Sequence, residues 1–235
     1  MSFAMRQFFL GILLLAPFSA WAAPVITTVP EWNGSDSVMI WGTSGSATYG
    51  QVFSPSGSDL ILQDFSFFVN DGGNNIGYRA YVQQYNLGTN QTVGSILFAS
   101  ASVVTSGAPG FQQIAINSGG LLLNAGLTYV AYLSTSEVPQ PSQGGSWEFL
   151  NFASSADPNA LGYRFVNNGT TFNPATGIAG PWSPLGPANA DLAFTANFAS
   201  IVPVTPELDP TSCFLPVVFL LGLLLVTKRH EEGPP

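Results

Sequence analysis

Leu60–Tyr85 reads LILQDFSFFVNDGGNNIGYRAYVQQY. Two runs rich in aromatic and β-branched residues, Leu60–Val69 and Ile76–Tyr85, flank Asp71-Gly72-Gly73-Asn74-Asn75. Neither run carries a 3.6-residue period, and the Gly/Asn cluster is turn chemistry. The stretch predicts two strands joined as a hairpin. Successive strand side chains point to opposite faces. Ile76, Tyr78, Ala80 and Val82 therefore form an apolar face in the second run. Arg79, Tyr81, Gln83 and Tyr85 form the other.

The same punctuation continues in both directions. Ser37–Trp41, Thr48–Phe53, Ile96–Val104, Phe111–Ile116, Thr128–Thr135, Trp147–Phe152, Leu161–Val166 and Asp191–Phe198 are further strand candidates, separated by Gly, Pro, Asn and Ser. Ten short strands are expected to split into two packed antiparallel layers, a jelly-roll-like all-β sandwich. Pro139–Ser146 and Asn167–Asn189 read as loops. The second is long and holds Phe172 and Trp182, either a functional loop or an Ω-loop packed onto the end of the sandwich.

Composition narrows the function. Of 235 residues only 8% are charged, against about 25% in an average soluble domain. Five Lys+Arg cannot make the basic footprint that a phosphate backbone needs, so nucleic acid is not an expected partner. A single Cys, Cys213, excludes an intramolecular disulfide and multi-Cys zinc sites. The lone His, His230, stands five residues from the last, so the body has no histidine for a catalytic triad. No Gly-x-Ser-x-Gly elbow occurs, and Gly42–Gly50 lacks the Lys of a phosphate loop. Between Ala23 and Asp209 there are 11 acidic residues and two basic ones, Arg79 and Arg164. Such a surface repels anionic polymers and membranes. The sequons at Asn33, Asn90 and Asn168 are read as chance matches.

Both ends read as addresses. Residues 1–22 have a basic Arg6, an apolar core Phe8–Phe18 and the small-x-small triplet Ala20-Trp21-Ala22, the pattern of a cleaved signal peptide. At the other end, Pro206-Glu207-Leu208-Asp209-Pro210 precedes CFLPVVFLLGLLLV (Cys213–Val226) and then Lys228 and Arg229. The apolar run is short of the ~20 residues of a comfortable membrane span, and the basic pair is expected to stay cytoplasmic. This three-part tail resembles the PEP-CTERM sorting signal, with Pro206–Pro210 as a Pro-Glu-Leu-Asp-Pro variant and Lys228-Arg229 as the basic stop. Pattern-level similarity to PEP-CTERM ectodomains continues in Gln51-Val52-Phe53, Leu62…Phe65-Ser66-Phe67, Tyr78–Val82, Leu127–Leu133 and Asp191–Phe194. The resemblance implies an exosortase partner, transient membrane insertion, and export to the cell surface or medium. The organisation it gives is 1–22 signal peptide, 23–199 β-sandwich, 200–205 linker and 206–235 sorting tail, with a hydrophobic helix over 211–227. An unprocessed tail anchor is the alternative.

Three kinds of site are expected in the body. The Arg79, Tyr81, Gln83, Tyr85 face places rings beside polar groups, which suits a sugar: rings cover the C–H face and polar groups bond the hydroxyls. A solvent face with cross-strand Tyr pairs is the plain alternative. Calcium takes oxygen ligands, and Asp71, Asn74, Asn75 and Asp191 are the candidates, without any EF-hand spacing. Glu31, Glu137, Glu148, Asp64 and Asp191 are the carboxylates a polysaccharide hydrolase would have to bring together in a pair. Asp64, in mid-strand, is expected to find Arg79 or Arg164 as partner. The leading expectation is a non-enzymatic surface or biofilm-matrix protein that grips extracellular polysaccharide. A hydrolase and a purely structural surface protein are the alternatives.

Overall fold

A computed structural model describes residues 25–41, 47–57, 60–136, 138–140, 150–155, 161–166, 172–173, 177–178, 182–184 and 191–199. The strands are β1 (Val25–Thr27), β2 (Ser37–Trp41), β3 (Thr48–Phe53), β4 (Ile61–Asn70), β5 (Gly77–Asn86), β6 (Gln91–Ala99), β7 (Val103–Val104) and β8 (Gln112–Leu122). They continue with β9 (Tyr129–Ser134), β10 (Leu150–Ser155), β11 (Tyr163–Val166), β12 (Phe172–Asn173), β13 (Gly177–Ile178), β14 (Ser183–Pro184), β15 (Asp191–Leu192) and β16 (Phe194–Ala199). One 3-10 turn, Val29–Glu31, is the only helical element among the described residues.

The strands form two seven-stranded antiparallel sheets and a small β12–β13 ribbon. In the first sheet β2 pairs β10, β10 pairs β4 and β4 pairs β8, while β15 and β16 enter on the β10 side of β4 and β1 pairs β16. In the second, β3 pairs β9, β9 pairs β5 and β5 pairs β6, with β11 and β14 beyond β3. The all-β expectation holds, and the chain passes repeatedly from one sheet to the other.

Alternation decides the core. Phe65, Phe67 and Val69 of β4 and Phe194, Ala196 and Phe198 of β16 face Tyr49 and Phe53 of β3, Tyr129, Ala131 and Leu133 of β9, and Tyr78, Ala80 and Val82 of β5. The Phe67 ring meets Phe194 at 5.1 Å and Phe152 edge-on at 5.6 Å. Each fully buried Phe, Leu or Val among them contributes about 1.5–3 kcal/mol of transfer free energy. The predicted inward face of the second run, Ile76, Tyr78, Ala80 and Val82, is the observed one.

The hairpin expectation is corrected. β4 and β5 lie in different sheets, so Asp71–Asn75 crosses between layers. Asp71 fixes the crossing: its carboxylate accepts N–H bonds from Gly73 (3.0 Å) and from Gly107 (2.8 Å), tying in the Thr105–Gly107 loop. The hairpin is instead β5–β6, turning through Leu87–Asn90. Other boundaries also move. The expected Ile96–Val104 strand is two, β6 and β7, and Phe111–Ile116 extends to Leu122 past a bulge containing Gly119 and Gly120, both with positive φ. Asp191–Phe198 breaks at Ala193, whose N–H bonds the Ala153 carbonyl at 2.7 Å.

Candidate functional site

The Arg79, Tyr81, Gln83, Tyr85 face is the outer face of the second sheet, as expected, but it is closed. Tyr81 is 2% exposed, Gln83 0% and Tyr85 3%; Arg79 alone of the four is exposed. The cover is Trp182, from the long loop. Its ring packs edge-on against Tyr132 at 5.1 Å and against Tyr85 at 6.3 Å, and its backbone N–H bonds the Asn90 carbonyl at 2.8 Å. Tyr81 stacks on Tyr132 at 5.0 Å, and the Tyr132 hydroxyl donates to Gln83 Oε1 at 2.8 Å. The Arg164 guanidinium lies over the Tyr85 ring at 5.9 Å. Burial raises the Tyr132 phenol, with Tyr81 adding to it; burial also raises Tyr85, opposed by the charge of Arg164 and its hydrogen bond. The open sugar platform expected here is therefore a second, aromatic core. A strand read by itself cannot reveal that a segment a hundred residues later lies on it.

The proposed calcium ligands do not share one site. Asp191 is fully buried, where Oδ1 accepts from Gln51 Nε2 (2.8 Å) and the Gly162 N–H (2.9 Å). Gln51 Oε1 in turn accepts the Leu192 N–H, so the pair links the two sheets. Asp71 and Asn74 instead hold the crossing, the Asn74 amide donating to the Asp71 carbonyl, with Asn75 next in chain. Through β10 the register sets Asn70 opposite Asn151 and Asp191 opposite Ser155. At about 3.3 Å per residue that separates Asp71 from Asp191 by about 16 Å, too far for one cation. No group of three or more His, Cys, Asp or Glu able to hold a metal occurs among the described residues.

Among the described residues the hydrolase carboxylates do not pair either. Glu31 sits on the exposed 3-10 turn, and Glu137 and Glu148 lie outside the described residues. Asp64 pairs with Asn197, six residues from Asp191 along β15–β16, which is about 20 Å of strand. Glycosidase carboxylates stand about 5–9.5 Å apart. Asp64 also finds a partner other than the expected arginine: its Oδ1 accepts from Asn197 Nδ2 at 2.6 Å. Pro206–Pro210, Cys213, Lys228 and Arg229 lie outside the described residues. Among the described residues no helix is long and apolar enough to cross a membrane.

The outer face of the first sheet sets polar rows beside half-buried rings. Its rows follow from the register. Thr27, Thr195, Ser66 and Ala115 lie side by side across four strands, and Val25, Asn197, Asp64 and Asn117 form the next row. Thr27 and Thr195 hydroxyls meet at 3.2 Å, and Gln113 Nε2 donates at 3.0 Å to the Oγ of Ser66, which is itself buried beneath the row. Beyond Ser66, Phe68 points outward because Phe67 points into the core. Phe68 meets Trp32 at 5.3 Å with the rings tilted by 44°, and Trp32 meets Phe111 edge-on at 5.1 Å. All three rings are half-buried, leaving part of each in solvent.

Local chemistry fixes Trp32. Asn33 Oδ1 accepts the backbone N–H groups of Ser35 (2.9 Å) and Asp36 (2.8 Å), an Asx turn, and Trp32 Nε1 donates to the Asp36 carbonyl at 3.0 Å. A row of amides and hydroxyls beside an aromatic trio can bond hydroxyl groups and cover an apolar C–H face at once. Sequence reasoning missed this site, although one signal was present. Adjacent Phe67 and Phe68 cannot both enter the core from one strand.

No family model matches this chain, and no curated protein matches it. Among solved structures it is similar to the cysteine protease and lectin-like domains of Cwp84, a surface layer associated protein of Clostridium difficile. The identity is 14% and the TM-score 0.41, over 71% of this chain and 36% of that one. The chain thus spans about a third of that solved chain's length.

Proposed function

We propose that this is a non-enzymatic exported protein that binds extracellular polysaccharide on the outer face of its first sheet. The observation that carries the proposal is the Trp32–Phe68–Phe111 trio set beside the Gln113–Ser66 and Asp64–Asn197 pairs. Within this proposal the sandwich is a jelly roll, supported by the pairing orders β2-β10-β4-β8 and β3-β9-β5-β6, each linking strands from both halves of the chain. Export rests on the signal-like residues 1–22, and surface sorting by an exosortase on Pro206–Pro210 with Lys228 and Arg229.

The ligand is neutral or amino-bearing. Arg79 and Arg164, the only cations of the body, sit on the second sheet, whereas Asp64 stands on the binding face. A uronate chain would meet a carboxylate there and no cation. The test is a glycan array with the full chain and its Trp32→Ala variant. Neutral or amino-sugar glycans are expected to bind, with at least a tenfold loss in the variant. Signal no higher than background for every glycan would remove the carbohydrate reading and leave a structural surface protein.

A further inference from the structure

We propose that the crevice between β7 and β8 takes a single sugar ring, borne as a branch on the polysaccharide that lies across the first sheet. This inference rests on the carbohydrate reading above. The crevice has a volume of about 390 Å³ and opens at the lateral gap between the two sheets. That is the low end of the range for small-molecule sites, enough for one ring rather than a run of chain.

Its lining has two chemical sides. Val104, 48% exposed, and the buried Tyr78 supply apolar surface, while Gln112, Gln113 and Ser106 supply amide and hydroxyl groups. Burial pushes the Tyr78 phenol up to about 12, so it stays neutral at any physiological pH. Asp71 stands at the back with its carboxylate already fixed by the Gly73 and Gly107 N–H groups. Each carboxylate oxygen retains accepting capacity for a hydroxyl or ammonium group. Its charge selects against an acidic ring.

Gln113 joins the two places. It lines the crevice, and its Nε2 bonds Ser66 in the polar rows of the outer face. A chain lying on those rows therefore reaches the crevice mouth at the edge of β8, where a branching ring can turn in. A flat platform alone would bind linear and branched chains alike. A platform ending in a one-ring crevice prefers chains that carry a branch at that point.

The test uses the full chain against matched immobilised oligosaccharides, neutral or amino-bearing, each linear or bearing single-residue branches. Val104→Trp fills the crevice from an exposed position, and an unchanged melting temperature is its folding control. The wild type is expected to prefer branched over linear probes by at least tenfold. Val104→Trp is expected to abolish that preference and leave linear-probe binding within twofold; Gln112→Ala is expected to reduce the preference. Equal binding of both probe types by the wild type, or a preference that survives Val104→Trp, would overturn the crevice assignment while leaving the platform intact. Binding of neither probe type would remove the platform reading, and this inference with it.

Discussion

Trp182 spends its ring on the outer face of the second sheet, covering Tyr132 and Tyr85, and so converts a polar-looking strand face into core. Its removal leaves a void over two tyrosines. Trp182→Ala is expected to cost about 3–5 kcal/mol in urea unfolding; a loss under about 1 kcal/mol would mean that the ring is not integral to the fold. The tyrosines carry a second expectation. The phenols of Tyr78, Tyr85 and Tyr132 are raised by burial, Tyr78 to about 12. In the unfolded chain they ionise near 10. The folded state therefore holds protons that the unfolded state has lost, and stability falls as pH rises from about 10 through the folded values. Tyr78 alone contributes on the order of 2 kcal/mol of this loss. Phenolate absorbance is expected to show the phenols of Tyr78, Tyr85 and Tyr132 ionising only above pH 10. A single transition near 10 with the fold intact would contradict the burial.

Within the strands, small residues decide what can pack. Gly50 of β3 sits where an added Cβ would come within 2.7 Å of both the Ala131 carbonyl and the Tyr132 Cβ. Gly50→Ala is expected to cost about 1–3 kcal/mol through overpacking, read as a lowered denaturation midpoint; an unchanged midpoint would show that β9 can give way. β6 illustrates a different device. Two steps along β5, from Val82 to Gln84, span five along β6, from Phe98 to Val93. The bulge includes Gly94 at φ 75°, whose carbonyl accepts from Gln83 Nε2 at 3.4 Å. An uncharged edge strand is a template for unwanted pairing, and a bulge blunts it. Alternation made the faces of β5 legible in the sequence. It could not show that Asp71–Asn75 passes between layers, because a Gly/Asn turn serves a hairpin and a crossing equally well. The carboxylate bond from Asp71 to Gly107, 36 residues away, is what distinguishes them.

Across the whole molecule, the separation of Asp71 from Asp191 bears on cation dependence. Chelation with EDTA is expected to leave the melting temperature unchanged, and a fall of several degrees would call for a cation held by other groups. The two chain ends make a prediction independent of the sandwich. Intact mass of the protein from its native host is expected to give a released species beginning at Ala23 and ending near Pro206–Pro210. A membrane-bound species that retains Cys213–Pro235 would replace sorting with a plain tail anchor. The sequence by itself determined the all-β class, most strand positions, the inward face of β5, and the acidic, histidine-free body that narrows the chemistry. Those properties follow from alternation and composition, which are local or additive. Tertiary structure alone decided which outward face is open. Trp182 returns to cover Tyr132 and Tyr85, and the Asn33 turn brings Trp32 to Phe68 and Phe111. Solvent exposure depends on what distant segments pack above a residue, and no local period in the chain encodes that.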